Sequence, residues 1–223
     1  MKAMILAAGR GERMRPLSDT TPKPLLRVGG KPLILWTLER IRDCGILEFI
    51  INHAHLGAQI ESALGDGARY GVRIRYSPER EALETAGGIA NALDLLGDEP
   101  FIAAAGDIYC DLDFAKLCSR DLGRNLAHLV LVPNPPHHPE GDFALDQSAL
   151  RNDGSPRHTF SGVGLYHPRL FAGLAPGSRH KIASLLRDAA DAGKASGELH
   201  TGAWFDIGTP ESLAKLDREL LRG

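Results

Sequence analysis

The sequence predicts a three-layer, Rossmann-like α/β fold, with a mixed, mainly parallel central sheet and a small antiparallel extension. Short apolar runs alternate with amphipathic stretches through the first half, the pattern of parallel strands joined by helices and buried on both faces. Beyond residue 126 a proline-rich loop interrupts that alternation, and two strand-like runs follow with little room for a helix between them. That second pattern reads as antiparallel or mixed pairing.

Ala3–Ala7 reads as the first strand. Pro32–Asp43 reads as a helix, with Leu33, Trp36, Leu38 and Ile41 on a broad apolar face and Gly45 as its C-terminal cap. Glu48–Asn52 is a strand, Ala58–Leu64 a helix, Val72–Ser77 a strand and Thr85–Leu96 a helix. Phe101–Ala105 is a strand that ends at Gly106-Asp107. In the second half Leu126–Val132 is a strand, and Pro133-Asn134-Pro135-Pro136-His137-His138-Pro139 is a rigid, irregular loop. Asp142–Asp146 and Phe160–His167 are the two crowded strands, followed by a helix at Ser184–Ala192 and a strand at Ala203–Ile207. Pro210–Leu221 closes the chain as a helix, with Thr209 as N-cap and Pro210 in the first turn.

The 223 residues, 43% of them hydrophobic, suffice for one buried core. A net charge of -2 gives no global basic field, so neither nucleic acid nor an anionic membrane is expected as a partner. Cys44, Cys110 and Cys118 form neither a CxxC motif nor a pairable framework, which fits a reducing compartment, with Cys44 a small core residue. No run approaches the roughly 18 apolar residues of a membrane span, and the N-terminus lacks signal-peptide features. A cytoplasmic monomer is expected.

The chemistry concentrates near the N-terminus. Gly9 and Gly11 allow a sharp turn that presents bare N–H groups, and Arg10, Arg13, Arg15 and Lys23 surround it with positive charge. A plain strand-to-helix turn would also hold two glycines. The dinucleotide fingerprint fails, because Arg13 or Met14 stands where a third glycine belongs. The Walker pattern fails for lack of its closing Gly-Lys-Ser/Thr. What remains is a cationic glycine turn suited to a triphosphate.

Two carboxylates complete the pattern. Asp107 lies at the carboxyl end of an apolar strand, where open α/β sheets bind ligands, and suits a hard divalent cation on phosphate oxygens. Asp113 reads instead as a helix N-cap and Asp111 as a solvated loop residue. Asp206 ends another short strand before a tight turn, as a second metal carboxylate or as a turn cap. Neither His53 with His55 nor His137 with His138 has a third ligand at zinc spacing. No G-x-S-x-G elbow is present, so hydrolase chemistry of that type is excluded.

Leu6-Ala-Ala-Gly-Arg-Gly-Glu-Arg-Met-Arg-Pro16, Pro22-Lys-Pro-Leu25, Gly30-Lys-Pro-Leu33, Gly106-Asp107 and Trp204-Phe-Asp-Ile-Gly-Thr-Pro-Glu211 run in order along the chain. Together they resemble the signatures of the sugar-1-phosphate nucleotidylyltransferases. The resemblance implies a single nucleotidyltransferase domain over 1–223, with 1–125 mainly binding nucleotide and 126–223 mainly binding sugar. It implies that Ala7, Ala8, Gly9, Arg10, Gly11, Glu12 and Arg13 receive the triphosphate, with Glu79, Gly87, Gly88 and Ala105 also at the nucleotide. Gly87-Gly88 reads equally well as helix packing. Lys23, Arg13 and Asp107 form the implied catalytic set, and Asp107 with Asp206 the implied Mg²⁺ ligands.

The length, Leu83-Glu-Thr-Ala-Gly-Gly88 and Phe160-Ser-Gly-Val-Gly-Leu-Tyr166 narrow the implied substrates to UTP and N-acetylmuramic acid 1-phosphate, as in cell-wall (peptidoglycan) recycling. Another base or sugar, or a sensor without turnover, are the alternatives. Many relatives carry a Glu-Lys-Pro triplet that reads the sugar, and this chain has Leu150-Arg-Asn-Asp-Gly-Ser-Pro-Arg157 instead. The expected sugar contacts are Glu140, Gly141, Asn152 and Gly162, with Arg151, Arg157 or Lys181 as cation for an acidic substituent.

Overall fold

A computed structural model describes residues 1–221. In chain order the elements are β1 (Ala3–Leu6), α1 (Leu17–Thr20), β2 (Arg27–Val28), β3 (Lys31–Pro32), α2 (Leu33–Asp43), β4 (Glu48–His53), α3 (Gly57–Leu64), β5 (Arg73–Pro78), α4 (Glu84–Asn91), α5 (Leu93–Leu96), β6 (Phe101–Ala105), β7 (Ile108–Cys110), α6 (Phe114–Cys118), β8 (Ala127–Val132), β9 (Phe143–Asp146), β10 (Ala149–Arg151), β11 (Arg157–Tyr166), α7 (Ile182–Asp191), β12 (Ala195–Leu199), β13 (Trp204–Asp206) and α8 (Pro210–Leu220).

Alternation along the strands builds the layers. In β1, Ala3 and Ile5 face a core shared with α2, α3 and α6, whereas Met4 faces a second core shared with α4 and α7. Ile34, Leu38 and Ile41 give α2 its buried stripe, and Ile182, Leu186 and Ala189 do the same for α7. The main sheet has nine strands in the order β5-β4-β1-β6-β11-β8-β12-β10-β9. Strands β5, β4, β1 and β6 are mutually parallel, as the first-half pattern predicts. β11 turns antiparallel to β6, and β9 returns to pair with the start of β11.

Several second-half strands escape the sequence pattern. β12 (Ala-Ser-Gly-Glu-Leu) has little apolar content, yet it pairs in parallel with β8 over its whole length. β11 begins at Arg157 rather than Phe160, because β9 supplies hydrogen-bond partners to its polar start. The helix expected over Thr85–Leu96 divides at Ala92 into α4 and α5. Cys44 and Cys118 correct the cysteine reading: they are free thiols, but their sulfurs lie 2.8 Å apart where α2 and α6 end. Their separation in sequence conceals that proximity.

A third, smaller core locks the elements that carry the glycine loop. Met14, Leu33, Tyr109, Ile207 and Leu216 are buried together, so the loop, α2, the β7–β13 ribbon and α8 share one anchor. Thr209 caps α8 through a reciprocal hydrogen-bond box with Ser212. Among the described residues no helix is long and apolar enough to cross a membrane.

Candidate active site

The chain leaves β1 at Leu6, and Ala7 and Ala8 remain buried while Gly9 and Arg10 emerge. Gly11 has a φ of +66° and closes the turn, its carbonyl accepting from Met14 N–H at 2.9 Å and from Ser18 Oγ at 2.7 Å. A Cβ on Gly11 would stand 3.2 Å from Lys23 Cβ, so the bare glycine lets the loop lie against the lysine stem. The buried Met14 pins the turn from below and leaves Glu12 and Arg13 exposed above it. Arg13 lies over Gly208, whose added Cβ would come within 3.1 Å of the guanidinium.

Asp107 reaches the same place from the end of β6. Gly106 N–H donates to Leu6 O at 2.8 Å, and a side chain there would crowd that carbonyl, so glycine brings the two strand ends together. Lys23 is only 7% exposed, and its Nζ is 2.6 Å from Asp107 Oδ2. The β7–β13 ribbon sets Asp206 opposite Ile108, while Ile207 N–H donates to Asp107 O at 3.1 Å. Both carboxylates are therefore carried on one hydrogen-bonded ribbon. Asp107 lines the cavity and Asp206 does not, its Oδ2 lying 3.8 Å from His137 Nε2; carboxylate oxygens of this kind are the hard donors that suit Mg²⁺.

A cavity of about 600 Å³ opens between these groups. It is lined by Leu6 to Arg13 with Asn52 beside them, by Lys23, Pro24, Ala105, Asp107 and Gly208, and by Ala82, Glu84, Thr85 and Arg179. Of the expected nucleotide residues, the structure gathers Ala7 through Arg13, Lys23, Ala105 and Asp107 into this lining.

Glu79, Gly87 and Gly88 sit behind the lining. Ala7 N–H donates to Asn52 Oδ1 at 3.0 Å, Asn52 Nδ2 donates to Glu79 Oε1 at 2.7 Å, and Leu83 N–H donates to Glu79 Oε2 at 2.9 Å. This chain of bonds ties the carboxyl ends of β1 and β4 to the turn before α4. Burial pushes the Glu79 carboxyl above the usual range, with the bonds from Asn52 and Leu83 and the charge of His53 acting in the opposite sense. Gly88 packs on the Asn52–Glu79 pair, and Gly87 packs on Ser178 O and His180 N. In this structure both glycines serve close packing of α4.

The expected sugar contacts scatter. Gly162, at φ +85°, lies in the bulge of β11 and packs against Ala105 and Ile108, outside the cavity lining. Gly141 fits tightly under Asn134 and the backbone of residues 157–158, and Glu140 is exposed on the adjoining turn. Asn152 is placed elsewhere: its amide donates to Arg187 O at 2.9 Å and Asp191 Oδ1 at 2.7 Å, capping the end of α7. Arg151 pairs with Asp146, Arg157 donates to Asp142 O, and Lys181 is an exposed residue ahead of α7. Asp113 caps α6 as expected, and Asp111 is an exposed loop residue as expected, with His200 Nε2 2.8 Å from its Oδ1.

Sequence reasoning missed Asn52 and Arg179, named Gly208 only as part of a signature, and reached Glu84 only within the Glu79–Gly88 stretch expected at the base. Asn52 and Gly208 carried a signal, since each follows or ends a strand beside a recognised motif. Arg179 carried none. His137, from the proline-rich loop, comes within 3.8 Å of Asp206 Oδ2, a contact between residues distant in sequence.

Comparisons with known proteins agree with this geometry. The sequence profile of a family described as Nucleotidyl transferase matches residues 2–144. The chain is 56% identical over 216 residues to the N-acetylmuramate alpha-1-phosphate uridylyltransferase of Neisseria meningitidis serogroup B, which covers 94% of each chain. It is 30% identical to a glucose-1-phosphate thymidylyltransferase of Streptomyces griseus, over 99% of this chain and 66% of that one. Among solved structures, a Bacillus anthracis protein crystallised with sucrose superposes with a TM-score of 0.87 at 24% identity, covering 99% of this chain and 95% of that one. The inositol-1-phosphate CTP transferase of T. maritima superposes with a TM-score of 0.79 at 17% identity, covering 100% and 96%. These two likenesses establish the fold.

Proposed function

The chain belongs to the Nucleotidyl transferase family, and on that premise we propose that it transfers UMP from UTP to N-acetylmuramic acid 1-phosphate, releasing pyrophosphate. One observation carries the chemistry: the buried Lys23 ammonium, 2.6 Å from Asp107, stands beside a glycine turn at a cavity of nucleotide size. The uridine and the muramic acid rest on the similarity to the Neisseria protein.

The turn over Ala8–Gly11 presents backbone N–H groups to the triphosphate, with Arg10 and Arg13 as exposed charges beside it. Lys23 sits at the α-phosphate, where negative charge grows during transfer. An oxygen of the acceptor's phosphate attacks the α-phosphorus in line, a new P–O bond forms, and the bond to the β-phosphate oxygen breaks with its electrons on pyrophosphate. That nucleophile is already ionised at neutral pH, so positioning and charge neutralisation do the work of a general base. Enzymes of this family commonly use a divalent metal, and Asp107 and Asp206 would hold Mg²⁺. When bound, the ion neutralises phosphate oxygens and aligns donor with acceptor.

Residues 1–125 would bind mainly nucleotide and 126–223 mainly sugar, in a cytoplasmic monomer that returns cell-wall sugar to a nucleotide-linked form. The test is pyrophosphate release measured over four nucleoside triphosphates and a panel of sugar 1-phosphates with Mg²⁺. UTP with N-acetylmuramic acid 1-phosphate should give the highest kcat/KM. Faster turnover of glucose or mannose 1-phosphate would overturn the acceptor, and binding without turnover would make the protein a sensor.

A further inference from the structure

Among the described residues that line the cavity, the cations are Arg10, Arg13, Lys23 and Arg179. The first three crowd the glycine turn: Arg13 lies on Gly208 and Lys23 on Asp107. Arg179 lines the cavity with Glu84 and Thr85, and it comes from the second half of the chain. Its Nη2 donates to Glu84 Oε1 at 2.9 Å, yet its side chain is 71% exposed. Guanidinium carries five N–H donors in a planar fork, so one bond to Glu84 leaves others free to meet a ligand.

The backbone beneath this pair is fixed with unusual care. His180 N–H donates to Leu83 O at 3.0 Å, and Ala86 and Gly87 N–H both donate to His180 O, at 3.0 and 3.1 Å. Gly87 permits that clasp, because a Cβ there would fall 2.2 Å from Ser178 O. Glu84 opens α4 at a φ of +63°, a conformation that side chains rarely adopt. Such a residue persists where its surroundings over-determine it, which is common at ligand sites. Glu84 is thus fixed beside Arg179, and both residues line the cavity.

N-acetylmuramic acid differs from N-acetylglucosamine by a lactyl ether that ends in a carboxylate. A planar carboxylate is matched by the guanidinium fork. The cations that the sequence offered for it are elsewhere: Arg151 is bound to Asp146, Arg157 to Asp142 O, and Lys181 lies outside the cavity lining. We infer that Arg179, oriented by Glu84, reads the carboxylate substituent of the acceptor sugar and so sets the preference for an acidic sugar over a neutral one. This rests on the acceptor proposed above.

The test measures kcat/KM for N-acetylmuramic acid 1-phosphate and N-acetylglucosamine 1-phosphate, and KM for UTP, in wild type, Arg179→Ala and Arg179→Lys. Wild type should prefer the acidic acceptor. Arg179→Ala should reduce that preference by about tenfold or more, the value of one charge-assisted contact, with the KM of UTP moving less than about twofold. Arg179→Lys keeps the charge without the fork and should recover part of the preference. Equal losses on both acceptors would assign Arg179 to a group they share, a rise in the KM of UTP would assign it to the nucleotide, and either would overturn the inference alone. A wild type that prefers the neutral sugar would overturn the acceptor assignment and the role of Arg179 with it. Unfolding temperatures of the variants separate a binding effect from loss of fold.

Discussion

The two sides of the cavity are built by opposite means. The glycine turn comes from one continuous stretch, Leu6 to Arg13, backed by Lys23 and Pro24 and joined by Ala105, Asp107 and Gly208 from far along the chain. The rest of the lining is assembled from Asn52, the start of α4 and the segment before α7. The first takes its shape from short-range backbone geometry, although its Lys23 is held by the distant Asp107. The second depends on bonds between distant residues, such as Asn52 to Glu79 and Leu83 to His180. The glycine turn itself is thus local and fixed early in the chain, whereas Asp107, Gly208 and the rest of the lining reach it only in the complete fold.

If that division holds, substitutions on the two sides separate kinetically. Asp107→Asn is expected to have the largest effect, a fall in kcat of about 10³-fold or more, since it removes a carboxylate where electrostatic stabilisation is concentrated. Near-normal pyrophosphate release from that variant would break the division at once. Lys23→Ala should lower kcat by about 10²-fold with a much smaller change in the KM of UTP. An equal change in both would move Lys23 from transition-state stabilisation to simple binding.

Gly208→Ala sharpens the comparison without touching a charge. Its Cβ would stand 3.1 Å from the Arg13 guanidinium, a flexible group that can move aside. We expect kcat/KM to fall about tenfold by misplacement of Arg13, with an unchanged unfolding temperature. Retained activity would show that Arg13 acts from another position.

Glu79 probes the rest of the lining through pH. Burial raises its folded-state pKa above the unfolded value, so the neutral carboxyl is the form that folding favours. Its contribution to stability is fully present below the unfolded pKa and is lost as pH rises through the raised folded value. Unfolding temperature followed across that window should decline in wild type relative to Glu79→Gln, and a slope of opposite sign would show that the bonds from Asn52 and Leu83 outweigh burial. The smallest effect belongs outside both sides: Thr209→Ala removes the α8 cap and should cost about 1 kcal/mol in chemical denaturation, leaving kcat intact.

The parallel core was legible because alternation and strand-to-helix rhythm are local properties of the chain. β1, β4, β5 and β6 form where the apolar runs stand. The glycine turn was legible for a related reason, since Gly9, Gly11 and Lys23 act within a short stretch of backbone. β12 was not, because a segment reading Ala-Ser-Gly-Glu-Leu becomes a strand through the hydrogen bonds that β8 offers it. The two halves of the cavity follow the same rule.

By itself, then, the sequence determined the layered sheet, the cationic turn and the placement of Asp107 at a strand end, all consequences of side-chain period and backbone freedom. Only the tertiary structure decided that Asn152 caps α7, that Cys44 meets Cys118, and that Arg179 faces the cavity. Each depends on which distant segments pack together. A hydrogen bond or an ion pair acts over a few ångströms and is indifferent to the number of residues between its partners, so no local pattern records it.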